Sequence, residues 1–368
     1  MRDYQQTYRV TLNTVGPVFI GSGREITKKE YLFLDRKETI GMIQVERFYA
    51  YLRKQGKSGR FEHFLLKDRR ADLWAWIHAE GIAPREVIPF LKYRIPVGEL
   101  SIAGGRAKWQ IMECMKDPYG MPYVPGSSLK GMLRTVLLAA RILERGYDDT
   151  KKSGILRAAG QSRNRNLYLK REAAQVEKDF FNVLDRNHRR IEDAVNDEMS
   201  GFVVSDSEPL RTGDLVLCQK VEVHTDGSEK TLNLLRECIR PDTKISFTIT
   251  VDSTICSIQK ETIERAIIVF ARMYQEMFAD AFQVGFLLND DMIFLGGGNG
   301  FVSKTITYPM YGKNQGIGLT QEIFEKTKVP WNHKHNQDQS LGASPHILKC
   351  TRMNGKLYQM GLCRVQIE

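Results

Sequence analysis

The stretch that most restricts the fold is Met121-Pro-Tyr-Val-Pro-Gly-Ser-Ser-Leu-Lys-Gly-Met-Leu-Arg-Thr-Val-Leu137. Pro122 and Pro125 hold the approach extended, because a residue before proline is pushed out of the helical region, and Gly126 lets the chain bend sharply. Beyond the bend, Leu129, Met132, Leu133, Val136, Leu137 and Ala140 recur at helical spacing, so a helix with one apolar stripe must find a core to cover it. Ser127 or Ser128 is placed to cap that helix. Lys130, Arg134, Arg141 and Arg145 stand off the stripe. A first turn with free N–H groups, two hydroxyls, the positive end of the helix dipole and Lys130 and Arg134 close by suits an anion such as a phosphate. An ordinary capped helix with a solvated basic face fits the same residues.

Charge decides what kind of partner to look for. The 368-residue chain carries a net charge of +10 with a pI near 9.2, which points to an acidic partner, nucleic acid before an anionic membrane surface. No apolar run of about 18 residues exists to span a bilayer, and the first residues lack the apolar core of a signal peptide, so no membrane partner and a cytoplasmic location are expected. The length favours two domains, and 42% hydrophobic residues can fill both cores. Six cysteines are scattered singly with no C-x-x-C pair, which reads as reduced thiols rather than a zinc site.

Taken in order, Tyr8, Val10, Leu12 and Thr14 alternate as a first strand that Gly16-Pro17 breaks. Gly21, Ser22 and Gly23 then form a turn beside Arg24, Lys28 and Lys29, which serves equally as a backbone approach to a ligand or as a plain hairpin. Residues from about 44 to 90 read as a helical insertion rich in charge and in Phe, Tyr and Trp. Basic residues among aromatics can track single-stranded RNA, but aromatics at helical spacing favour a core. From about 146 to 200 basic residues outnumber acidic ones, and the first half reads as a mobile basic loop, either an electrostatic path or a solvated connector. A β-rich segment follows from Phe202, then a helix from Glu261, then Gly296, Gly297, Gly298, Asn299 and Gly300 with Ser303 and Lys304 close behind. So many glycines imply that some group approaches the backbone there, yet neither a dinucleotide nor a P-loop pattern is present.

Three of these segments together resemble a known family. Tyr123-Val-Pro-Gly-Ser-Ser-Leu-Lys-Gly-Met-Leu-Arg134 is similar to the signature of the RAMP superfamily, the RNA-binding proteins of CRISPR effector complexes. Val10-Thr-Leu-Asn-Thr-Val-Gly-Pro-Val-Phe-Ile-Gly-Ser-Gly23 resembles its first strand and glycine turn, and Phe294-Leu-Gly-Gly-Gly-Asn-Gly-Phe301 resembles its glycine-rich loop. In this order and at this length the set looks most like the subunits of type III-A Csm complexes that cap the effector at the 3′ end of CRISPR RNA. The resemblance implies an α+β fold of two RRM-like (ferredoxin-like) domains with helical insertions. Residues 1–200 would form the first, carrying the insertion and the basic segment, and residues 201–368 the second, carrying the glycine-rich loop.

On this reading Gly21, Ser22, Gly23, Arg24, Lys28, Lys29, Ser127, Ser128, Lys130, Arg134, Gly296, Gly297, Gly298, Asn299, Gly300 and Lys304 hold RNA, with the Ser127 turn and the glycine-rich loop on one surface. The implied partners are the 3′ region of CRISPR RNA, other Csm subunits, especially a neighbouring RAMP backbone subunit, and a host nuclease. Relatives that cut target RNA carry an aspartate after the first strand, whereas Gly23-Arg-Glu-Ile-Thr-Lys-Lys-Glu30 offers only glutamates, so no catalysis and no cofactor are expected. His333 and His335 sit two apart in a polar stretch with His346 beyond, a chance pairing rather than a metal site. The alternative is a RAMP endoribonuclease that processes precursor RNA with a histidine.

Overall fold

The computed structural model describes residues 4–67, 72–101, 110–161, 169–326 and 335–368. Strands and helices run in the order β1 (Gln5–Thr14), β2 (Gly21–Ile26), β3 (Tyr31–Leu34), β4 (Thr39–Ile43), α1 (Val45–Lys54), α2 (Ser58–Leu66), α3 (Leu73–Ala79), α4 (Pro84–Val87), β5 (Leu91–Pro96), β6 (Ile111–Cys114), α5 (Gly126–Arg145), α6 (Asp149–Gln161), α7 (Lys170–Phe181), β7 (Phe202–Val204), β8 (Leu215–His224), β9 (Glu229–Ile239), β10 (Lys244–Asp252), α8 (Lys260–Met277), β11 (Met292–Phe294), α9 (Thr307–Lys326), α10 (Asp338–Leu341), β12 (Ile347–Met353), β13 (Lys356–Gln359) and β14 (Leu362–Ile367).

These strands make a mixed α and β architecture of three sheets. One is antiparallel throughout, in the order β11-β14-β1-β10-β7; a second runs β13-β12-β8-β9-β6-β2 with β6 and β9 parallel; a small third is β3-β4-β5. The alternation of β1 turns Val10, Leu12 and Thr14 inward, and the strand lies between β10 and β14. β1 is thus flanked on both sides by strands from beyond residue 200.

Helix α5 buries Leu129, Leu133, Val136, Leu137 and Ala140 in the main core shared with α8 and the sheets. Its start corrects one expectation. Gly126 already belongs to the helix, Pro125 is the N-cap and no side chain caps it; the Gly126 N–H donates to Asp206 Oδ1 over 2.7 Å. Ser127 and Ser128 are thus not caps, because a carboxylate from the loop after β7 has taken the first free amide. A Cβ at Gly126 would overlap the backbone of Val204 and Ser205, which explains why the bend needs glycine. Arg141, placed off the stripe by its spacing, is buried, with its guanidinium on Glu198 at 2.6 Å and on the Phe180 carbonyl at 2.9 Å.

The insertion α1–α4 forms its own apolar cluster. Phe48, Phe61, Phe64 and Trp76 are buried there, with the Phe61 and Trp76 rings 4.9 Å apart, so these aromatics are core and not an RNA platform. The basic segment differs from expectation as well. Its first half is helix α6 across residues 149–161, started by the Asp148 carboxylate accepting the Lys151 N–H and fastened by Tyr311 Oη donating to the Lys152 carbonyl. Residues 162–168, the rest of the expected loop, lie outside the described residues, as does His333.

Candidate nucleic-acid interface

Three segments far apart in sequence meet at one cleft of about 370 Å³. It is lined by Phe19, Ile20 and Gly21, by Ser127, Ser128, Gly131, Met132 and Thr135 of α5, and by Phe294, Gly296, Gly297, Ser303 and Lys304. The junction is held by backbone. The Gly297 N–H donates to the Phe19 carbonyl over 2.7 Å, the Leu295 N–H to the Gly361 carbonyl over 2.8 Å, and the Gly361 N–H to the Pro17 carbonyl over 2.8 Å. Among the described residues, neither histidine nor carboxylate lines the cleft.

Close approach, inferred from the run of glycines, comes from inside the protein. A Cβ at Gly296 would overlap the Phe19 carbonyl, and one at Gly298 would overlap the guanidinium of Arg236. Both glycines also have positive φ, 80° and 78°. Asn299 is 2% exposed, and neither oxygen nor nitrogen of its amide has a partner among the described residues. Ser303 Oγ donates to the carbonyls of Asn299 and Gly300, which folds the end of the loop back on itself.

Arg236 is the residue that sequence reading missed. It sits on β9, far in sequence from every motif, and nothing in the local pattern marks it. Its guanidinium lies 5.1 Å from the Phe19 ring, its Nε has no partner, and no carboxylate pairs with it among the described residues. Lys304 has no such partner either. Burial lowers the pKa of both groups, and the Arg236 charge lowers Lys304 further. Two partly desolvated cations that repel each other beside backbone amides and two serine hydroxyls make a site with a deficit of negative charge.

The other expected cations are committed elsewhere. Arg134 Nε bonds Glu177 at 2.9 Å, its Nη1 lies 2.8 Å from Asp197, and its plane covers Phe181 at 4.3 Å. Lys130 Nζ donates to the Met199 carbonyl over 2.8 Å. Arg24 pairs with Glu30 and Glu113, and Ser22 Oγ donates to Glu113. Lys29 Nζ donates to the carbonyls of Phe64 and Leu65, tying β2 to the insertion, while Lys28 borders a separate pocket with Trp74. Of the expected set, the structure brings Gly21, Ser127, Ser128, Gly296, Gly297 and Lys304 to the cleft; Gly23, Gly298, Asn299 and Gly300 are near it in sequence but not in its lining.

A model of the RAMP superfamily matches residues 11–301. A CRISPR system protein, Csm5, of Mycobacterium tuberculosis is 29% identical over 100% of this chain and 99% of its own length. The Csm5 of Enterococcus italicus is 26% identical over 99% and 98%. Among solved structures, a chain of a Csm–crRNA–target RNA ternary complex of a type III-A CRISPR-Cas system shares the fold with a TM-score of 0.58, at 20% identity over 98% of this chain and 100% of that one. The crystal structure of T. onnurineus Csm5 has a TM-score of 0.56, at 17% identity over 96% and 99%.

Proposed function

Because the chain belongs to the RAMP superfamily, matched over most of its length, we propose that it is a non-catalytic RNA-binding subunit of a type III-A CRISPR (Csm) effector complex. In this role it caps the 3′ end of CRISPR RNA and assists 3′-end maturation in antiviral defence. The observation that carries this reading is the cleft at which the first-strand turn, the α5 start and the glycine-rich loop meet beside Arg236 and Lys304, two cations that pair with no carboxylate among the described residues. A phosphate of the guide supplies the missing charge, held by Lys304, the Arg236 guanidinium and the Ser127 and Ser128 hydroxyls.

The arrangement supports binding rather than cleavage. General acid/base work needs a titratable group within hydrogen-bond reach of the scissile phosphate, and the lining offers no histidine or carboxylate among the described residues. We read β14-β1-β10-β7, with α5 crossing between β1 and β7 and α8 between β10 and β14, as one RRM-like unit. The second unit is built on the six-stranded sheet. Neighbouring Csm subunits, above all a RAMP backbone subunit, cover the remaining surface and a host nuclease trims the exposed RNA. The described helices include none long and apolar enough to cross a membrane.

Reconstitution of the effector with and without this chain tests the reading. Complexes containing it should protect the 3′ portion of the guide from nuclease, and the paired changes Arg236→Met and Lys304→Met should abolish that protection while the protein stays folded. Cleavage of repeat RNA by the purified chain alone would overturn the non-catalytic assignment.

A further inference from the structure

Asp338, in α10, is fully buried, and among the described residues it pairs with no lysine or arginine. Around it stand two buried histidines and a serine. His335 Nδ1 is 3.0 Å from Asp338 Oδ2, His346 Nδ1 is 2.5 Å from Oδ1, and Ser344 Oγ donates to Oδ2 over 2.5 Å. The ligating atoms of His335, Asp338 and His346 all lie within 4.8 Å of one another. Tyr308 of α9 fixes the segment by donating to the Ser344 carbonyl over 3.0 Å and accepting the Ser344 N–H over 2.9 Å.

A buried carboxylate surrounded by imidazoles and a hydroxyl needs positive charge close by. One protonated imidazole would provide it; so would a cation seated between the three groups. The rings hydrogen-bond the carboxylate directly, and the three groups also converge closely enough to hold a cation, with both Nδ1 atoms facing one carboxylate and the ligating atoms within 4.8 Å of one another. We infer that His335, Asp338 and His346 form a binding site for a divalent transition-metal ion of the zinc class. Zinc sits about 2.0–2.2 Å from nitrogen and carboxylate oxygen, which sets neighbouring ligand atoms a little over 3 Å apart, so entry of the ion opens the 2.5 Å contact by less than about 1 Å. Each imidazole moves its Nδ1 proton to Nε2 by exchange with solvent, the two hydrogen bonds to Asp338 give way to bonds from Nδ1 and the carboxylate to the ion, and the ion releases the waters that these ligands replace. A set of two nitrogens and one carboxylate disfavours calcium and magnesium, which take oxygen.

An entry path exists. His346, Gln337 and Leu341 border a second cleft of about 370 Å³ that also exposes His224, whose ring lies 5.7 Å from that of His346. Water completes the coordination from this side. The ion would staple α10 to the start of β12, where Ile347 pairs with His224 of β8. The expectation that the histidines are a chance pairing changes accordingly, because the carboxylate that joins them was not part of the pattern read from sequence.

The test uses the full-length protein stripped with chelator and titrated with zinc and with cobalt(II). One equivalent should bind, cobalt should show the ligand-field bands of a four- or five-coordinate nitrogen and oxygen site, and zinc in excess should raise the unfolding temperature by mass action. Asp338→Asn keeps the size of the side chain and should weaken binding by at least about tenfold, as should His346→Gln. No uptake by the unaltered protein at micromolar zinc, or equal uptake by the protein and its Asp338→Asn variant, overturns the site. Should the variants fail to fold, the cobalt spectrum of the unaltered protein decides alone: absence of ligand-field bands refutes the proposal.

Discussion

Two pairs of cations stand near the first turns of α5, and their surroundings are opposite. Lys130 and Arg134 lie on the helix, inside the motif that draws the eye, yet Arg134 is divided between Glu177 and Asp197 and Lys130 is bound to the Met199 carbonyl. Arg236 and Lys304 come from β9 and from the turn after the glycine-rich loop, and neither has an anion among the described residues. The first pair fastens α5 to α7 and to the turns before β7, so its charge is already balanced within the fold. The second is left with a surplus that a ligand can meet. Charge near a motif is available for binding only when the fold has not used it.

The largest effect expected from this contrast falls on folding. Lys130→Glu with Arg134→Glu places two new carboxylates among Glu177 and Asp197 and leaves the Met199 carbonyl without its donor. With its side chain only 22% exposed, Arg134 behaves as a largely desolvated partner, so the double change should cost about 3–5 kcal/mol of stability, read by denaturant unfolding. A variant as stable as the original that released RNA would invert the comparison and make the α5 cations the clamp.

Next in size is the effect on RNA. Arg236→Met and Lys304→Met keep the apolar stems and remove charges that repel each other, so stability should hold or rise slightly. Affinity for single-stranded guide RNA should fall by about tenfold for each, the value of a charge-assisted hydrogen bond to phosphate. The slope of log affinity against log salt should shrink by about 0.7 per cation removed. If titrations over a range of salt gave unchanged slopes, these two cations would not touch phosphate.

The same contrast shows what the sequence could reveal. Period-two alternation placed β1, and period-3.6 spacing placed the buried stripe of α5, because those patterns are local consequences of which face meets the core. Phe48, Phe61, Phe64 and Trp76 of the insertion were legible as core for the same reason, whereas Trp74 is exposed. The acceptor for the first free amide of α5 was not legible, because Asp206 comes from a loop eighty residues away in the chain. Helix α6 was masked by glycines and basic residues, although Asp148 accepting the Lys151 N–H gives it a start. Three glycine and serine motifs pointed to one surface, but Arg236 reaches Gly298 and Phe19 beside it from β9, a placement that leaves no mark near residue 236. Glycine content signalled close packing correctly and could not tell whether a ligand or Phe19 and Arg236 would do the packing.

The smallest effect comes from a third cation group that isolates pairing from position. The side chain of Lys349 borders Gly300, yet its ammonium is held 2.7 Å from Glu222, which also takes Lys220 at 2.8 Å. Burial alone would raise the Glu222 pKa, but hydrogen bonds from Lys220 and Lys349 and their charges bring it down to about 2. Because the folded value lies below the ordinary one, this carboxylate stabilises the fold fully above the ordinary glutamate range and loses that contribution as pH falls through about 2. Unfolding measured from pH 5 downward should therefore show a loss of stability in the unaltered protein that Glu222→Gln flattens. The lysines stay paired across the neutral range, so they should add nothing to RNA binding there. Glu222→Gln releases both ammonium groups without moving them, and the added positive field should raise affinity by only about two- to threefold. A tenfold gain would mean that pairing alone keeps these lysines from the RNA; no gain would mean that position matters as well, and that Arg236 and Lys304 bind because they are both without a carboxylate partner among the described residues and placed at or beside the cleft.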